Sequence, residues 1–233
     1  MTLPAVGVYG GTFNPIHLGH LRAAEEVAET LGLARVVFVP SATPPHKPHD
    51  DDIAPAADRC AWVRLAIEGN PRFALDSLEV ERGGASYLVD TLRALREKHA
   101  PAELVFLVGS DAFAEMGAWR APRELFALAS YAVMARPPLR GGHLARWLPD
   151  AVKDDVAIEP DGQRGRHRSA GTWLRIVEIA GFPLSASDVR LRLRQGRSVR
   201  YLLPEAVREA VLASGAYGSR PDVDQGRERG SPA

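Results

Sequence analysis

Ala5-Val6-Gly7-Val8-Tyr9-Gly10-Gly11-Thr12-Phe13-Asn14-Pro15-Ile16-His17-Leu18-Gly19-His20 decides how the chain folds. Its first five residues form a continuous apolar run without polar alternation, the pattern of a strand covered on both faces. Adjacent glycines follow, and they permit a tight turn that brings backbone N–H groups close to a ligand. From Leu18 onward, Leu21, Ala24, Ala28 and Leu31 recur at intervals of three or four, which predicts a helix over roughly 18–31 with one apolar stripe. Strand, glycine turn and helix N-terminus in that order make a cradle for phosphate, because the helix dipole presents its positive end there. His17 and His20 fall on one side of the first helical turn, and Gly19 between them leaves room for an approaching phosphate. Two imidazoles supply donors to phosphate oxygens, and an adjacent anion favours their cationic forms. For either histidine alone, local capping or packing explains as much; the pair together favours phosphate.

Outward from this stretch, the same strand and helix periods repeat. Val36–Val39, Leu104–Val108 and Tyr131–Met134 are short, buried-type strands, with further candidates at Phe73–Val80 and Leu174–Ile179. The first of these two alternates more, which sets it nearer an edge. Helices are predicted over 56–68, where Ala57, Ala61, Leu65 and Ala66 form a stripe, and over 86–98, which opens with Ser86. The alternation of strand and helix predicts an α/β, Rossmann-like, doubly wound and mainly parallel sheet with flanking helices. Residues 136–146 and 160–171 read as loops. Short helices at about 187–195 and 204–213 form a small C-terminal helical region. The expected organisation is an α/β core over 1–183, a helical part of the same domain over 184–217, and a polar tail over 218–233.

The 233 residues carry 29 basic and 29 acidic side chains, and 45% are apolar. A zero formal charge argues against nucleic acid as partner. One cysteine, Cys60, excludes an intrachain disulfide and a cysteine-cluster metal site. No apolar run is long enough to cross a bilayer, and the N-terminus lacks an export signal, so a cytoplasmic location is expected.

Three further places carry chemistry. After the second strand, Pro44-Pro45-His46-Lys47-Pro48 is a proline-stiffened loop at the sheet end where α/β proteins bind ligands, making Lys47 a phosphate donor or a solvated loop residue. Arg59 follows as a supporting or substrate-binding residue, or a helix-surface ion pair. Gly109-Ser110-Asp111 leads to Trp119, whose indole face suits a planar ring, with core packing as the alternative. Asp111 suits ribose or metal-associated groups, or a helix N-cap. Ser185-Ala186-Ser187-Asp188-Val189-Arg190 opens a helix, so its hydroxyls cap and its terminus faces phosphate, while Arg190 offers donors to pyrophosphate. The first stretch meets neither G-x-G-x-x-G nor the P-loop pattern. His17 and His20 lack the partners of a zinc site, so no protein-held metal is expected.

Taken in order, the glycine–histidine stretch, Pro40–Lys47, Ser86–Leu92, Gly109–Asp111 with Trp119, Ser185–Arg190 and Tyr201–Val207 resemble the nucleotidyltransferases with a paired-histidine motif. Within them, the chain is most similar to the bacterial nicotinate-nucleotide adenylyltransferases over about 5–213. The resemblance implies a cytoplasmic enzyme of NAD biosynthesis that joins ATP and nicotinate mononucleotide, releasing pyrophosphate, with Mg²⁺ carried by ATP. It implies catalytic roles for His17, His20, Lys47 and Arg190, and ATP contacts at Gly10, Gly11, Thr12, Phe13, Gly109, Asp111, Ser185, Ser187 and Arg190. Acceptor contacts are implied at Asn14, Lys47, Tyr87, Leu88 and Trp119, with Trp119 on the nicotinate ring. The chain departs from the family pattern at Asn14 (usually Asp), Leu88 (usually Thr), Ala186 (usually Ser) and Ser187 (usually Thr). Leu88 removes a hydroxyl that relatives direct toward the nicotinate carboxylate, which keeps nicotinamide mononucleotide and phosphopantetheine open as acceptors. A noncatalytic nucleotide-sensing module is the alternative of a different class, and the sequence leaves the oligomeric state open.

Overall fold

A computed structural model describes residues 5–44, 52–135 and 143–219. His46 and Lys47, and the tail beyond Ser219, lie outside the described residues. The opening run forms β1 (Ala5–Gly11), and its apolar continuation pairs in parallel with β2 (Arg35–Pro40) on one side and β4 (Glu103–Gly109) on the other. Beyond these lie β3 (Phe73–Leu75) at one edge, then β5 (Ser130–Ala135) and β8 (Trp173–Glu178). Those six strands are parallel, as the unalternating runs predict, while β6 (Val156–Ile158) and β7 (Arg164–His167) close the far side antiparallel. The sheet order is β3-β2-β1-β4-β5-β8-β7-β6.

Alternate residues of each central strand feed two separate cores. Val36, Phe38, Val105 and Leu107 face α1 (Leu18–Leu31), α2 (Ala56–Ile67), α8 (Ala186–Arg194) and α9 (Glu205–Ser214), through Val27, Val63, Val189 and Val211. Val6, Val8, Leu104, Phe106 and Val108 face α4 (Leu88–His99), α5 (Ser110–Glu115), α6 (Pro122–Leu128) and α7 (Leu144–Trp147), through Leu92, Phe113, Leu125 and Leu144. Each buried aliphatic side chain contributes about 1.5–3 kcal/mol. Helix α1 ends where Gly32 takes the left-handed conformation and its N–H returns to Glu29 O, a turn that only glycine adopts without strain.

Four expectations are corrected. The predicted strand over Phe73–Val80 stops at Leu75. Asp76 turns the chain there, accepting the Leu78 N–H at 3.1 Å and the Lys98 ammonium at 2.7 Å, and α3 (Leu78–Arg82) begins. The loop expected over 160–171 contains β7, and the loop expected over 136–146 contains the start of α7. Helix α4 starts at Leu88 rather than Ser86, because the Ser86 hydroxyl is taken by the Ala42 N–H at 2.9 Å. Among the described residues, no helix is long and apolar enough to cross a membrane.

Candidate active site

Chain order reverses between β1 and β4, and ligands of open α/β sheets enter the crevice at the carboxyl ends of such strands. The turn leaving β1 is not made by the glycines. Gly10 and Gly11 remain in the strand, in register with Val39 and Pro40, and the chain turns at Phe13, whose φ is 46°. The glycines are needed for space. A Cβ on Gly10 would lie 3.3 Å from the Phe106 ring, at the floor of the crevice, and one on Gly11 would press the Phe13 ring at 3.2 Å. Phe13 is 3% exposed and packs edge-on against Tyr9 and His20, so its ring backs the site rather than lining it.

Two chambers share Gly10, Phe106 and Trp119. The histidine chamber, about 340 Å³, is walled by His17, Gly19, His20, Gly109, Phe182 and the N-terminus of α8 at Ser185 and Ala186. His17 is the N-cap of α1 and 4% exposed. Its ring stacks on that of His20, with centroids 3.7 Å apart and planes 24° from parallel. The His17 backbone N–H donates to His20 Nδ1 at 3.2 Å, so the neutral His20 ring carries its proton on Nε2. The local capping expected of either histidine therefore coexists with lining the cavity: one His20 nitrogen fixes the ring and the other is a donor. Gly19 is close-packed here, since a Cβ would stand 3.0 Å from His17 Nδ1. Ser185 caps α8, accepting the Asp188 N–H at 3.1 Å.

The Tyr87 chamber, about 430 Å³, is walled by Gly11, Thr12, Ser41, Glu79, Ser86, Tyr87, Leu88 and Arg120, with Trp119 between the chambers. Two of its walls, the turn after β1 at Gly11 and Thr12 and the connection after β2 at Ser41, are tied together by one buried residue. Arg59, 1% exposed, donates to Ala54 O at 2.8 Å, Thr12 O at 2.6 Å and Ala42 O at 2.9 Å. Desolvation lowers its pKa, with Tyr217 and Cys60 opposing. Neither a surface ion pair nor a substrate ligand, it clips the turn after β1 to the segments after β2 and before α2. A guanidinium's planar fork of donors is what three converging carbonyls require.

Not every expected site residue reaches a chamber. The Asn14 side chain is 5% exposed and works inside the protein, donating to Asp52 O at 2.8 Å and accepting from the Ala54 N–H and the Tyr217 hydroxyl. Burial pushes the Tyr217 phenol well above its ordinary range, which keeps it neutral as that donor. Arg190 donates to Asn14 O at 3.0 Å and to Ser187 Oγ at 3.3 Å, and neither Arg190 nor Ser187 lines a chamber. Asp111 is exposed at the second residue of α5, past the Gly109 N-cap, and also lines neither chamber. Among the described residues, no three His, Cys, Asp or Glu side chains converge as a metal site. Several lining residues escaped sequence reasoning, Arg120, Glu79 and Phe182 among them. Arg120 is signalled only by following Trp119, Glu79 by nothing in the pattern, and Phe182, 45% exposed at the rim, is masked by its apolar neighbours Ile179, Ala180, Pro183 and Leu184.

The cytidylyltransferase-like family model matches residues 8–192. A protein of Geobacter sulfurreducens named probable nicotinate-nucleotide adenylyltransferase is 43% identical over 213 residues, covering 91% of this chain and 97% of that protein. A like-named protein of Syntrophotalea carbinolica is 40% identical and covers 92% and 98%. Among solved structures, the nicotinic acid mononucleotide adenylyltransferase of Plasmodium falciparum, complexed with NaAD, superposes with a TM-score of 0.67 at 14% identity, over 92% of this chain and 98% of that one. That likeness concerns the fold, whereas the bacterial relatives carry the family. The chain belongs to the cytidylyltransferase-like proteins and, within them, to the nicotinate-nucleotide adenylyltransferases.

Proposed function

We propose that this enzyme transfers the adenylyl group of ATP to nicotinate mononucleotide, forming nicotinate adenine dinucleotide and pyrophosphate. The observation that carries the reading is the pair of chambers meeting over Gly10, one with stacked imidazoles beside two helix N-termini, the other walled by Tyr87 and Arg120, with Trp119 between them. ATP, entering with its Mg²⁺, occupies the histidine chamber, and the pyridine nucleotide occupies the Tyr87 chamber with its ring on Trp119. A phosphate oxygen of the mononucleotide bonds to the α-phosphorus as the bond to the bridging oxygen of the β-phosphate breaks, and pyrophosphate leaves.

The attacking phosphate is already anionic, so no protein nucleophile or strong base is required. The protein's work is alignment and charge stabilisation. His20 Nε2 donates to the α-phosphate oxygens, where negative charge grows; His17 holds the second ring against it, and the α8 N-terminus at Ser185 and Ala186 faces the leaving pyrophosphate. Arg190 and Asn14 act as positioning residues, joining α8 to the turn beneath the histidines. Lys47 is assigned to the phosphates on its sequence position.

Incubation with ATP and, separately, nicotinate mononucleotide, nicotinamide mononucleotide and phosphopantetheine tests this, reading pyrophosphate and adenylylated product. Nicotinate mononucleotide is expected to be the preferred acceptor. Pyrophosphate from none of them would make the chain a nucleotide-binding module instead.

A further inference from the structure

Among the described residues that line the Tyr87 chamber, Arg120 is the one cation. Its guanidinium carbon lies 4.7 Å from the centre of the Tyr87 ring, and Nη1 reaches Asp90 Oδ2 at 3.5 Å. Both tethers are light. Asp90 has a closer partner in Arg93, at 3.0 Å, and Arg93 is gripped in turn by both oxygens of Glu124 at 2.7 and 2.6 Å. Asp90 therefore leaves most of the Arg120 donor set unused, and a guanidinium has five N–H donors in a fork that fits a carboxylate. The Arg120 side chain is 57% exposed, so turning it over the chamber would break no buried contact.

The rest of the described chamber offers neutral hydroxyls at Thr12, Ser41 and Ser86 but no second positive charge. Leu88 offers no hydroxyl. Glu79, 6% exposed, is engaged by the Thr91 hydroxyl at 2.5 Å and would repel an anion rather than bind it. Helix α4 begins at Leu88 on the same wall, adding the positive end of its dipole on the side where Arg120 stands. An acid and an amide on a pyridine ring have nearly the same shape, so a pocket separates them by charge and by donors that an amide NH₂ cannot satisfy.

Resting on the adenylyl-transfer reading, we infer that Arg120 is the residue that reads the acceptor's ring carboxylate and sets the preference for the nicotinate acid over the nicotinamide amide. The indole of Trp119 carries the ring, and the adjacent guanidinium pairs with the carboxylate at its edge. A charge-assisted contact at a partly exposed rim is expected to be worth about tenfold in selectivity.

The test compares the parental enzyme, Arg120→Ala and Arg120→Lys, each with saturating ATP and either nicotinate or nicotinamide mononucleotide, with kcat and KM resolved. Arg120→Ala is expected to lower the nicotinate-to-nicotinamide ratio of kcat/KM about tenfold, chiefly by raising KM for the acid. Arg120→Lys should recover part of the ratio, because it keeps the charge and loses the fork. An unchanged ratio in Arg120→Ala, or equal losses with both acceptors, overturns the assignment of Arg120 alone, provided the parental enzyme forms the nicotinate dinucleotide. A parental enzyme that forms neither dinucleotide overturns the adenylyl-transfer reading and this inference with it.

Discussion

The histidine chamber and the Tyr87 chamber meet over Gly10 but are held by different means. On the histidine side, His17 is 4% exposed, Phe13 behind His20 is 3% exposed, and the ring pair is fixed by a backbone-to-imidazole bond at the start of α1. On the other side, Tyr87 and Leu88 are half-buried at a helix start and Arg120 is exposed on a rim. The part assigned to the shared phosphate chemistry is built into the core, and the part assigned to choosing an acceptor is built from side chains that change without disturbing it. Substitutions in the first region should therefore alter turnover, and those in the second should alter KM and selectivity.

Arg59 underlies both regions, because its three carbonyl partners lie in the turn that leads from β1 to the histidines and in the connection from β2 to α2 that borders the Tyr87 chamber at Ser41. Arg59→Ala is expected to cost about 3 kcal/mol or more of stability, since it strands buried carbonyls and empties a packed site. Urea unfolding with a pyrophosphate assay checks this; a midpoint near the parental one would show that the clip is dispensable. Next in size, His20→Ala should lower kcat roughly a hundredfold, about 2.7 kcal/mol of transition-state stabilisation, while stability changes by less than about 1 kcal/mol. Near-parental turnover in that variant would separate the histidine pair from the chemistry.

On the opposite side, Trp119→Ala is expected to raise KM for the pyridine nucleotide about tenfold, with Trp119→Phe retaining most of the affinity. Because the indole borders both chambers, KM for ATP should rise too, by a smaller factor; equal rises would place the ring between the substrates rather than against one. The smallest effect belongs to Gly19→Ala. The added methyl meets the His17 ring at 3.0 Å and must displace it by a few tenths of an ångström, so a several-fold loss of kcat/KM for ATP is expected, with the pyridine-nucleotide KM unmoved.

Much of the fold is legible because central parallel strands are covered on both faces and so appear as continuous apolar runs, and because α1 carries one clean stripe. The hairpin of β6 and β7 is not legible, since β7 buries Gly165 and His167 between arginines, a pattern with no apolar signal. The site divides similarly. The places of Gly10, Gly19, His17, His20 and Trp119 along the chambers are readable because they sit in short motifs at the carboxyl ends of β1 and β4, where the sheet opens. The turn at Phe13 is not, because adjacent glycines suggest conformational freedom where the structure uses their lack of volume. Asn14 and Arg190 look like ligand contacts from their position, yet Tyr217 engages the Asn14 side chain across 203 residues and Arg190 donates to the Asn14 carbonyl across 176, and such pairings leave no local trace.

The most direct measurement is a structure of the enzyme with a nonhydrolysable ATP analogue and nicotinate mononucleotide bound together. The account predicts the α-phosphate within hydrogen-bond distance of His20 Nε2, the terminal phosphates at the start of α8, and the pyridine ring on Trp119. Phosphates bound away from the stacked imidazoles, or a pyridine ring seated in the histidine chamber, would contradict it.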